Sequence, residues 1–312
     1  MCLQWSSVAD VLGQKVRPSI QNGLELLKNN KKSGWWTNNL EEAILSLEEK
    51  YLCPPSVEDI QLLLQRCKQA KDQPCAFRLR SYLQRHEMDV HSSLGNQLVS
   101  VLVELGCMNY AQESFDKLIY RNARSWNSLI IGYLKCGKPH KAFSVYEQMQ
   151  EDVLVHLDID TLVALLKACA SLKDLEKGIQ MHEKARDLGV DRDLFIGSTL
   201  VDMYAKCGML SKAQKVFDDL RVRNVVSWTA LISGYAEHGH GKEALKRFEH
   251  MQLMGIFPNS VTFVCALKAC GTIQAMEKGL ELHTEIERQG LLDRNLFIGS
   301  AVVDMYVKCC SL

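Results

Sequence analysis

Residues 195–208 read FIGSTLVDMYAKCG, and residues 297–310 read FIGSAVVDMYVKCC. The two stretches agree at ten of fourteen positions and lie 102 residues apart. Similarity at a fixed spacing indicates an internal repeat, and a repeat constrains the fold more strongly than any single motif does. The interpretation of the whole chain therefore starts from this spacing.

Two further phrases recur at almost the same distance. RSWNSLIIGYLKCG (124–137) resembles VSWTALISGYAEHG (226–239), and LLKACASLKDLEKGIQMHEK (165–184) resembles ALKACGTIQAMEKGLELHTE (266–285). The large period thus contains three unlike repeats of 31, 35 and 36 residues in a fixed order. We place the repeats at 57–91, 92–122, 123–158, 159–193, 194–224, 225–259 and 260–295, with an incomplete repeat at 296–312. Residues 1–56 are interpreted as a leader and the remnant of a degenerate repeat.

Each repeat has the pattern of two helices. In the repeat 225–259, Trp228, Leu231, Ile232 and Tyr235 recur at helical spacing, and a second apolar stripe follows the glycine turn at 237–241. A single helical hairpin of this size cannot bury its apolar face, whereas stacked hairpins can. No alternation of period two is long enough to predict a sheet. The sequence therefore predicts an all-α fold, an α-solenoid of stacked antiparallel helix-turn-helix repeats.

The composition excludes several classes of protein. The chain has 37 Lys plus Arg and 37 Asp plus Glu, which gives a formal net charge of zero. The net charge therefore does not indicate a nucleic-acid partner. No apolar run approaches the roughly 18 residues of a membrane span, so we expect no membrane partner. The twelve cysteines lie mostly inside helical apolar patterns, which favours buried thiols in a reducing compartment over disulfides.

The phrases VVSWTALISGYAEHG, SVTFVCALKAC and DMYAKCG in rotation resemble pentatricopeptide repeat (PPR) proteins. More narrowly, they resemble the plant subfamily in which standard, long and short motifs alternate, the PLS type. The resemblance implies standard repeats at 123–158 and 225–259, long repeats at 57–91, 159–193 and 260–295, and short repeats at 92–122, 194–224 and, incomplete, 296–312. The resemblance covers residues 57–312 and implies a right-handed superhelix that binds single-stranded RNA, one base per repeat. It also implies a role in organellar RNA processing or C-to-U editing as a site-recognition factor.

In this family the fifth and the last residue of each motif face a base. Carried onto this sequence, the positions implied to read bases are Asn96, Asn122, Asn127, Asp158, Ser198, Asn224, Thr229, Asn259 and Ser300. The long repeats carry Val163 and Val264 with Asp193 and Asn295, and valine cannot read a base edge by hydrogen bonds. Three lysines recur near the end of a first helix, where they could approach phosphates: Lys135, Lys206 and Lys308. The alternative for the polar residues near helix starts is capping, which is compatible with base reading.

Catalytic motifs are missing from the sequence. Some relatives end in a zinc-dependent deaminase-like domain, which needs His-x-Glu followed by Pro-Cys-x-x-Cys. His283–Glu285 supplies the first half only, and its sibling position is His182, so we expect His283 to serve repeat packing. His238 and His240 lie in an inter-helix turn without a third metal ligand. We therefore expect no enzymatic activity, no cofactor and no metal, with catalysis supplied, if at all, by an editing deaminase or another factor in trans.

Two alternatives stay open. Helical-hairpin arrays of the tetratricopeptide type bind peptides, and the chain would then be a scaffold for protein partners. The incomplete last repeat also allows an inactive truncated gene product. Localisation to a mitochondrion or plastid is implied by the family, and the basic residues within 1–40 are compatible with a transit peptide.

Overall fold

A computed structural model describes residues 40–49, 55–89, 92–152, 156–292 and 295–310. The described residues form sixteen α-helices and no strand. The helices are α1 (Leu40–Glu49), α2 (Val57–Ala70), α3 (Gln73–Arg85), α4 (Ser92–Glu104), α5 (Met108–Asp116), α6 (Ala123–Lys135), α7 (Pro139–Gln150), α8 (Ile159–Leu172), α9 (Leu175–Asp187), α10 (Leu194–Lys206), α11 (Leu210–Asp219), α12 (Val225–Glu237), α13 (Gly241–Leu253), α14 (Ser260–Thr272), α15 (Met276–Arg288) and α16 (Leu296–Cys310). The prediction of an all-helical repeat fold is confirmed.

The chain divides into two compact units. The larger unit comprises Gly137–Ser144 and His156–Leu312, and the smaller comprises Met1–Cys136 and Val145–Val155. In the larger unit the even-numbered helices are the first helices of their repeats, and each stacks on the next from α8 to α16. Each odd-numbered helix from α9 to α15 packs against the first helices before and after it. This is the arrangement in which neighbouring hairpins bury each other's apolar faces.

The smaller unit has the same plan. Helix α2 stacks on α4, and α4 on α6, while α3 and α5 pack against the first helices on either side. Helix α1 packs against α2 and α3, which is the place that a second helix of a preceding repeat would occupy. Of the leader and repeat remnant assigned to residues 1–56, residues 1–39 and 50–54 lie outside the described residues.

Helix boundaries follow local chemistry. The turn in the repeat 225–259 has Gly239 at φ 80°, a left-handed conformation that glycine adopts without a steric cost. The turns of the long repeats lack glycine at this place, and Lys173 and Gln274 adopt φ 54° instead. The predicted glycine turn is thus confirmed for the standard repeat, while the long repeats carry a more strained turn.

An aromatic contact repeats in the core of each compact unit. The Trp228 and Phe217 rings meet edge to face with centroids 4.6 Å apart in the larger unit. Trp126 and Phe115 make the same contact at 4.6 Å in the smaller unit, 102 residues earlier. Edge-to-face pairs add about 0.5–1.5 kcal/mol beyond the area they bury. The tryptophan of the standard repeat therefore anchors the second helix of the preceding short repeat.

Candidate nucleic-acid interface

The residues at the fifth position of each repeat lie along the first helices, and most of them are buried. Asn96, Asn127, Val163, Ser198 and Thr229 are each less than one-tenth exposed. Val264 is half-buried, and Ser300 on the last helix is exposed. Any base read by the buried side chains must therefore approach the seam between successive first helices.

The residues at the last position of each repeat cap the next first helix. Asn122, Asp158, Asp193, Asn224 and Asn259 are the N-cap residues of α6, α8, α10, α12 and α14, and each side chain accepts a backbone N–H of that helix. Asn295 Oδ1 accepts in the same way from Phe297 N at 3.0 Å. The capping role that the sequence left open is therefore present at these six positions.

Capping leaves part of each asparagine available. At Asn224 the Oδ1 atom accepts from Ser227 N at 2.9 Å, and at Asn259 it accepts from Thr262 N at 2.9 Å. A carboxamide has two N–H donors in addition to its oxygen. Within the described residues neither Asn224 Nδ2 nor Asn259 Nδ2 donates to a protein acceptor. Both caps therefore keep a donor pair for a ligand.

The two asparagines at the fifth position differ from each other. Asn96 donates through Nδ2 to Tyr120 O at 2.9 Å, and its Oδ1 accepts from Asn122 N at 3.0 Å, so it holds the link between repeats. Asn127 Oδ1 is buried and has no hydrogen-bond partner among the described residues. A buried polar atom without a partner costs about 1–3 kcal/mol. Asn96 is thus committed to structure, whereas Asn127 retains an unused acceptor.

The hydroxyl residues of the larger unit are also hydrogen-bonded. Ser198 Oγ donates to Leu194 O at 2.6 Å, one turn earlier in its own helix, and Ser300 Oγ donates to Leu296 O at 3.1 Å. Thr229 Oγ1 lies 2.7 Å from Thr262 Oγ1 on the following first helix. Each of these hydroxyls has used its single proton or shares it with a neighbour, and each keeps acceptor capacity.

The three lysines with a suggested phosphate role are accessible. Lys135 is exposed, while Lys206 and Lys308 form ion pairs with Asp202 at 2.9 Å and Asp304 at 2.7 Å. Exposed ion pairs of this kind contribute about 0–1 kcal/mol and exchange readily. At the equivalent place Glu104 pairs with Lys68 at 2.6 Å, so a cation is missing there. The first helices therefore do not all carry a cation at this place.

A row of exposed apolar side chains, which the sequence did not predict, lies at the second residue of several first helices. Phe195 is 60% exposed, Val226 56%, Val261 59% and Phe297 81%. Lys167 Nζ lies 5.9 Å from the centroid of the Phe195 ring. Exposed aromatic and apolar surfaces beside polar groups are suited to stacking unpaired bases. The signal in the sequence was an apolar residue out of phase with the core stripe of its helix.

The histidines that resemble metal or deaminase ligands serve packing. His182 Nδ1 lies 2.9 Å from Tyr204 Oη, and His283 Nδ1 lies 2.9 Å from Tyr306 Oη. His238 Nδ1 contacts Gly234 O at 2.9 Å within its own turn. The prediction that His283 serves repeat packing, like His182, is confirmed.

Three cysteines occupy the same place in the three long repeats. Burial raises the pKa of the Cys67, Cys169 and Cys270 thiols to about 12, so they are neutral at physiological pH.

In the part of the chain that the structure describes, no group of three His, Cys, Asp or Glu side chains is placed to hold a metal ion. No described helix is long and apolar enough to cross a bilayer.

Comparison with known proteins identifies the repeats. Residues 124–152 and 198–225 match the PPR repeat, and residues 223–272 match the PPR repeat family. Pentatricopeptide repeat-containing protein CRR2, chloroplastic, of Arabidopsis thaliana is 33% identical over 308 residues, covering 95% of this chain and 46% of the relative. A second chloroplastic pentatricopeptide repeat-containing protein of that plant is 32% identical over 231 residues, 74% of this chain and 28% of the relative. The chain thus spans less than half the length of these relatives.

Solved structures of low sequence identity share the fold. Pentatricopeptide repeat protein PPR10 in complex with an 18-nt psaJ RNA element matches with a TM-score of 0.65 at 17% identity, covering 92% of this chain and 46% of that one. PPR10 from maize, in a separate crystal structure, matches with a TM-score of 0.53 at 16% identity, covering 93% of this chain and 49% of that one. The residues that match the family models, 124–152 and 198–272, are thus pentatricopeptide repeats, and the solved structures share the fold of the chain.

Proposed function

We propose that this chain binds single-stranded RNA in a sequence-specific manner, one base per repeat. The observation that carries the proposal is the regular association of three features in the larger unit. A hydroxyl with spare acceptor capacity, an asparagine cap with a free amide donor and an exposed apolar side chain recur together as Ser198, Asn224 and Phe195, and as Thr229, Asn259 and Val226. Hydrogen bonding to a base edge next to a stacking surface is the usual mode of single-strand recognition.

The relatives support this assignment. PPR10 was crystallised with an RNA element, and it shares the fold of this chain. The base preference of each repeat follows from its pair of fifth and last residues in the PLS-type pattern. The repeat boundaries are those placed from the sequence. From the 5′ end of the RNA, the first of the five repeats between residues 92 and 259 should favour a pyrimidine, and the second a pyrimidine with uracil preferred over cytosine. The third should accept any base, and the fourth and fifth should favour adenine.

We further infer an organellar role in which the chain recognises a site on a transcript. Two of the relatives are named chloroplastic, which supports a plastid or a mitochondrion as the compartment. The described residues offer no group of metal ligands for a deaminase. In this proposal, C-to-U editing or another processing step is carried out by an editing deaminase or another factor that acts in trans on the bound RNA.

A randomised-RNA selection tests the proposal. The 312-residue chain is immobilised, and enriched RNAs are sequenced after several rounds of binding. Enrichment of single-stranded RNAs containing the pattern above supports the proposal, and competition by duplex RNA should be weak. Recovery of no enriched sequence, together with capture of a defined peptide by the same chain, would favour the tetratricopeptide-like scaffold instead.

A further inference from the structure

Thr262, the third residue of α14, lies between the two side chains that are proposed to read one base. Its Oγ1 is 2.7 Å from Thr229 Oγ1 and 2.9 Å from Asn259 Oδ1. The side chain is fully buried, and Thr229 is only 9% exposed. Thr262 belongs to the next repeat, so it connects the fifth and the last residue of the repeat before it.

The backbone fixes the direction of two hydrogen bonds in this group of side chains, and Asn259 Oδ1 can only accept. Thr262 N donates to Asn259 Oδ1 at 2.9 Å, which determines that the oxygen of the carboxamide faces α14. Asn259 N donates to Thr262 Oγ1 at 3.2 Å, and Thr262 Oγ1 donates to Asn259 Oδ1. A hydroxyl has one proton and two acceptor sites. Either threonine could donate in the contact between them, and we assign the donor to Thr229 because the proton of Thr262 is directed at Asn259 Oδ1.

The directions of these hydrogen bonds determine which donors and acceptors Thr229 and Asn259 offer to a base. The only hydroxyl proton of Thr229 is donated in the hydrogen bond to Thr262, so Thr229 Oγ1 can only accept a hydrogen bond from a base. Asn259 has used Oδ1 twice and offers only the N–H groups of Nδ2. Adenine has a matching N6 donor beside an N1 acceptor, and cytosine has a similar N4 donor and N3 acceptor. Guanine and uracil present the opposite order on the same edge, an acceptor followed by a donor.

We propose that Thr262 is a positioning residue that sets the base preference of the Thr229–Asn259 pair. The proposal rests on the RNA-binding function proposed above. It predicts adenine as the preferred base, with rejection of guanine and uracil by the hydrogen-bond pattern. Removing the Thr262 hydroxyl frees the Thr229 proton, which can then be donated to a base oxygen.

The preceding repeat provides a matched control. There the Ser198 proton goes to Leu194 O in the same helix at 2.6 Å. Ser227, the equivalent of Thr262, contacts only the backbone of Asn224 through its hydroxyl, at 3.0 Å and 3.1 Å. Removing the Ser227 hydroxyl should therefore leave the preference of the Ser198–Asn224 pair unchanged.

The test compares Thr262→Val, Thr262→Ser and Ser227→Ala in the full chain. Binding is measured to short single-stranded RNAs containing 5′-UUUAN-3′ and 5′-UUUNA-3′, with each of the four bases at N. In Thr262→Val the ratio of adenine to guanine affinity at the last base should fall about fivefold or more, because one discriminating hydrogen bond is worth at least that factor. The ratio at the preceding base should not change. Thr262→Ser should restore the wild-type ratio, and Ser227→Ala should leave both ratios as they are.

The outcomes separate this inference from the proposed function. Wild-type chain that binds these RNAs selectively, with an unchanged ratio in a folded Thr262→Val variant, overturns the role of Thr262 and leaves RNA binding intact. An equal loss at both bases would also overturn it, because Thr262 would then act on stability alone. Wild-type chain without any base selectivity would overturn the proposed function and this inference together. Circular dichroism melts of each variant establish that it is folded.

Discussion

Tyr204 Oη and His182 Nδ1 lie 2.9 Å apart, and the bond joins the first helix of a short repeat to the second helix of the long repeat before it. Tyr306 and His283 make the same bond at 2.9 Å one large period later. The surroundings differ, since Tyr204 is only 3% exposed whereas Tyr306 is half-buried. The repeated hydrogen bond therefore joins neighbouring repeats, and we expect its contribution to the free energy of unfolding to depend on burial.

We predict that Tyr204→Ala destabilises the larger unit by about 3–5 kcal/mol, the range for truncating a buried aromatic side chain. Tyr204→Phe keeps the ring and should cost only about 0.5–1.5 kcal/mol for the lost hydrogen bond. Tyr306→Ala is the matched control and should cost less than Tyr204→Ala. Urea unfolding followed by circular dichroism gives the three values. Equal losses for the two alanine variants would contradict the assignment of Tyr204 to a buried interface.

The His182–Tyr204 pair also predicts a dependence of stability on pH. Burial, reinforced by the cations Arg186 and Lys212, lowers the pKa of His182, while Asp191 and Glu183 act in the opposite direction. The folded state therefore holds His182 neutral at a pH where the unfolded state begins to bind a proton. Stability from this source is complete above the unfolded pKa of about 6.5 and declines as the pH falls toward the folded value.

The measurement is the urea midpoint at pH 7.5 and at pH 5.5, for wild type and for His182→Gln. Wild type should lose more stability than the variant between these two pH values. The same loss in both proteins would assign the pH dependence to other groups.

A close approach of two helices gives a prediction about glycine. A Cβ atom at Gly178 on α9 would overlap Met203 on α10, including its Sδ atom. Gly178→Ala should therefore destabilise the chain by about 1–3 kcal/mol, as overpacking does in cores. Gly299→Ala is the control, because a Cβ there meets no atom within 4 Å and alanine favours a helix. A neutral or stabilising Gly178→Ala would mean that Met203 has room to move aside.

The repeat architecture could be predicted from sequence because it depends on periodicity. Trp228, Leu231 and Ile232 recur at helical spacing, and all three are buried in α12. The choice between capping and base reading for Asn259 could only be left open, since both roles favour a small side chain with a carbonyl-type oxygen. The structure shows the cap. The bond between Thr229 and Thr262 was not predictable, because it depends on how α12 and α14 are rotated against each other.

The lysine near the end of α10 leads to a prediction about salt. Lys206→Glu should weaken RNA binding and reduce the slope of log affinity against log salt by about 0.7, the value for one phosphate contact on a single strand. The order of base preferences should stay the same, because phosphate contacts carry no sequence information. Filter binding at several salt concentrations measures both quantities.

The control for Lys206→Glu is Lys215→Glu, which makes the same change of charge on the exposed surface of the second helix α11. Lys215→Glu should affect the slope less than Lys206→Glu does. Equal effects of the two variants would mean that net charge, rather than a contact at Lys206, determines the salt dependence.

The last prediction concerns the base that Thr229 and Asn259 are proposed to read. In Asn259→Asp the cap is retained, because one carboxylate oxygen can still accept from Thr262 N and Thr262 Oγ1. The second oxygen then replaces Nδ2, so an acceptor stands where the amide offered a donor. Guanine presents N1–H and its amino group to such an acceptor, whereas adenine presents the lone pair of N1. Preference at this base should therefore move from adenine toward guanine by about 1–3 kcal/mol.

Competition binding with RNAs that differ only at this base measures the change, and Asn224→Asp is the parallel variant for the preceding base. Each variant should alter the preference at its own base and leave the other unchanged, since the two caps belong to different helices, α12 and α14. A folded Asn259→Asp chain that still prefers adenine would show that Asn259 is only a helix cap. The register of the repeats, or RNA recognition by this surface as a whole, would then be wrong, because no other free amide donor adjoins Thr229 among the contacts of the described residues.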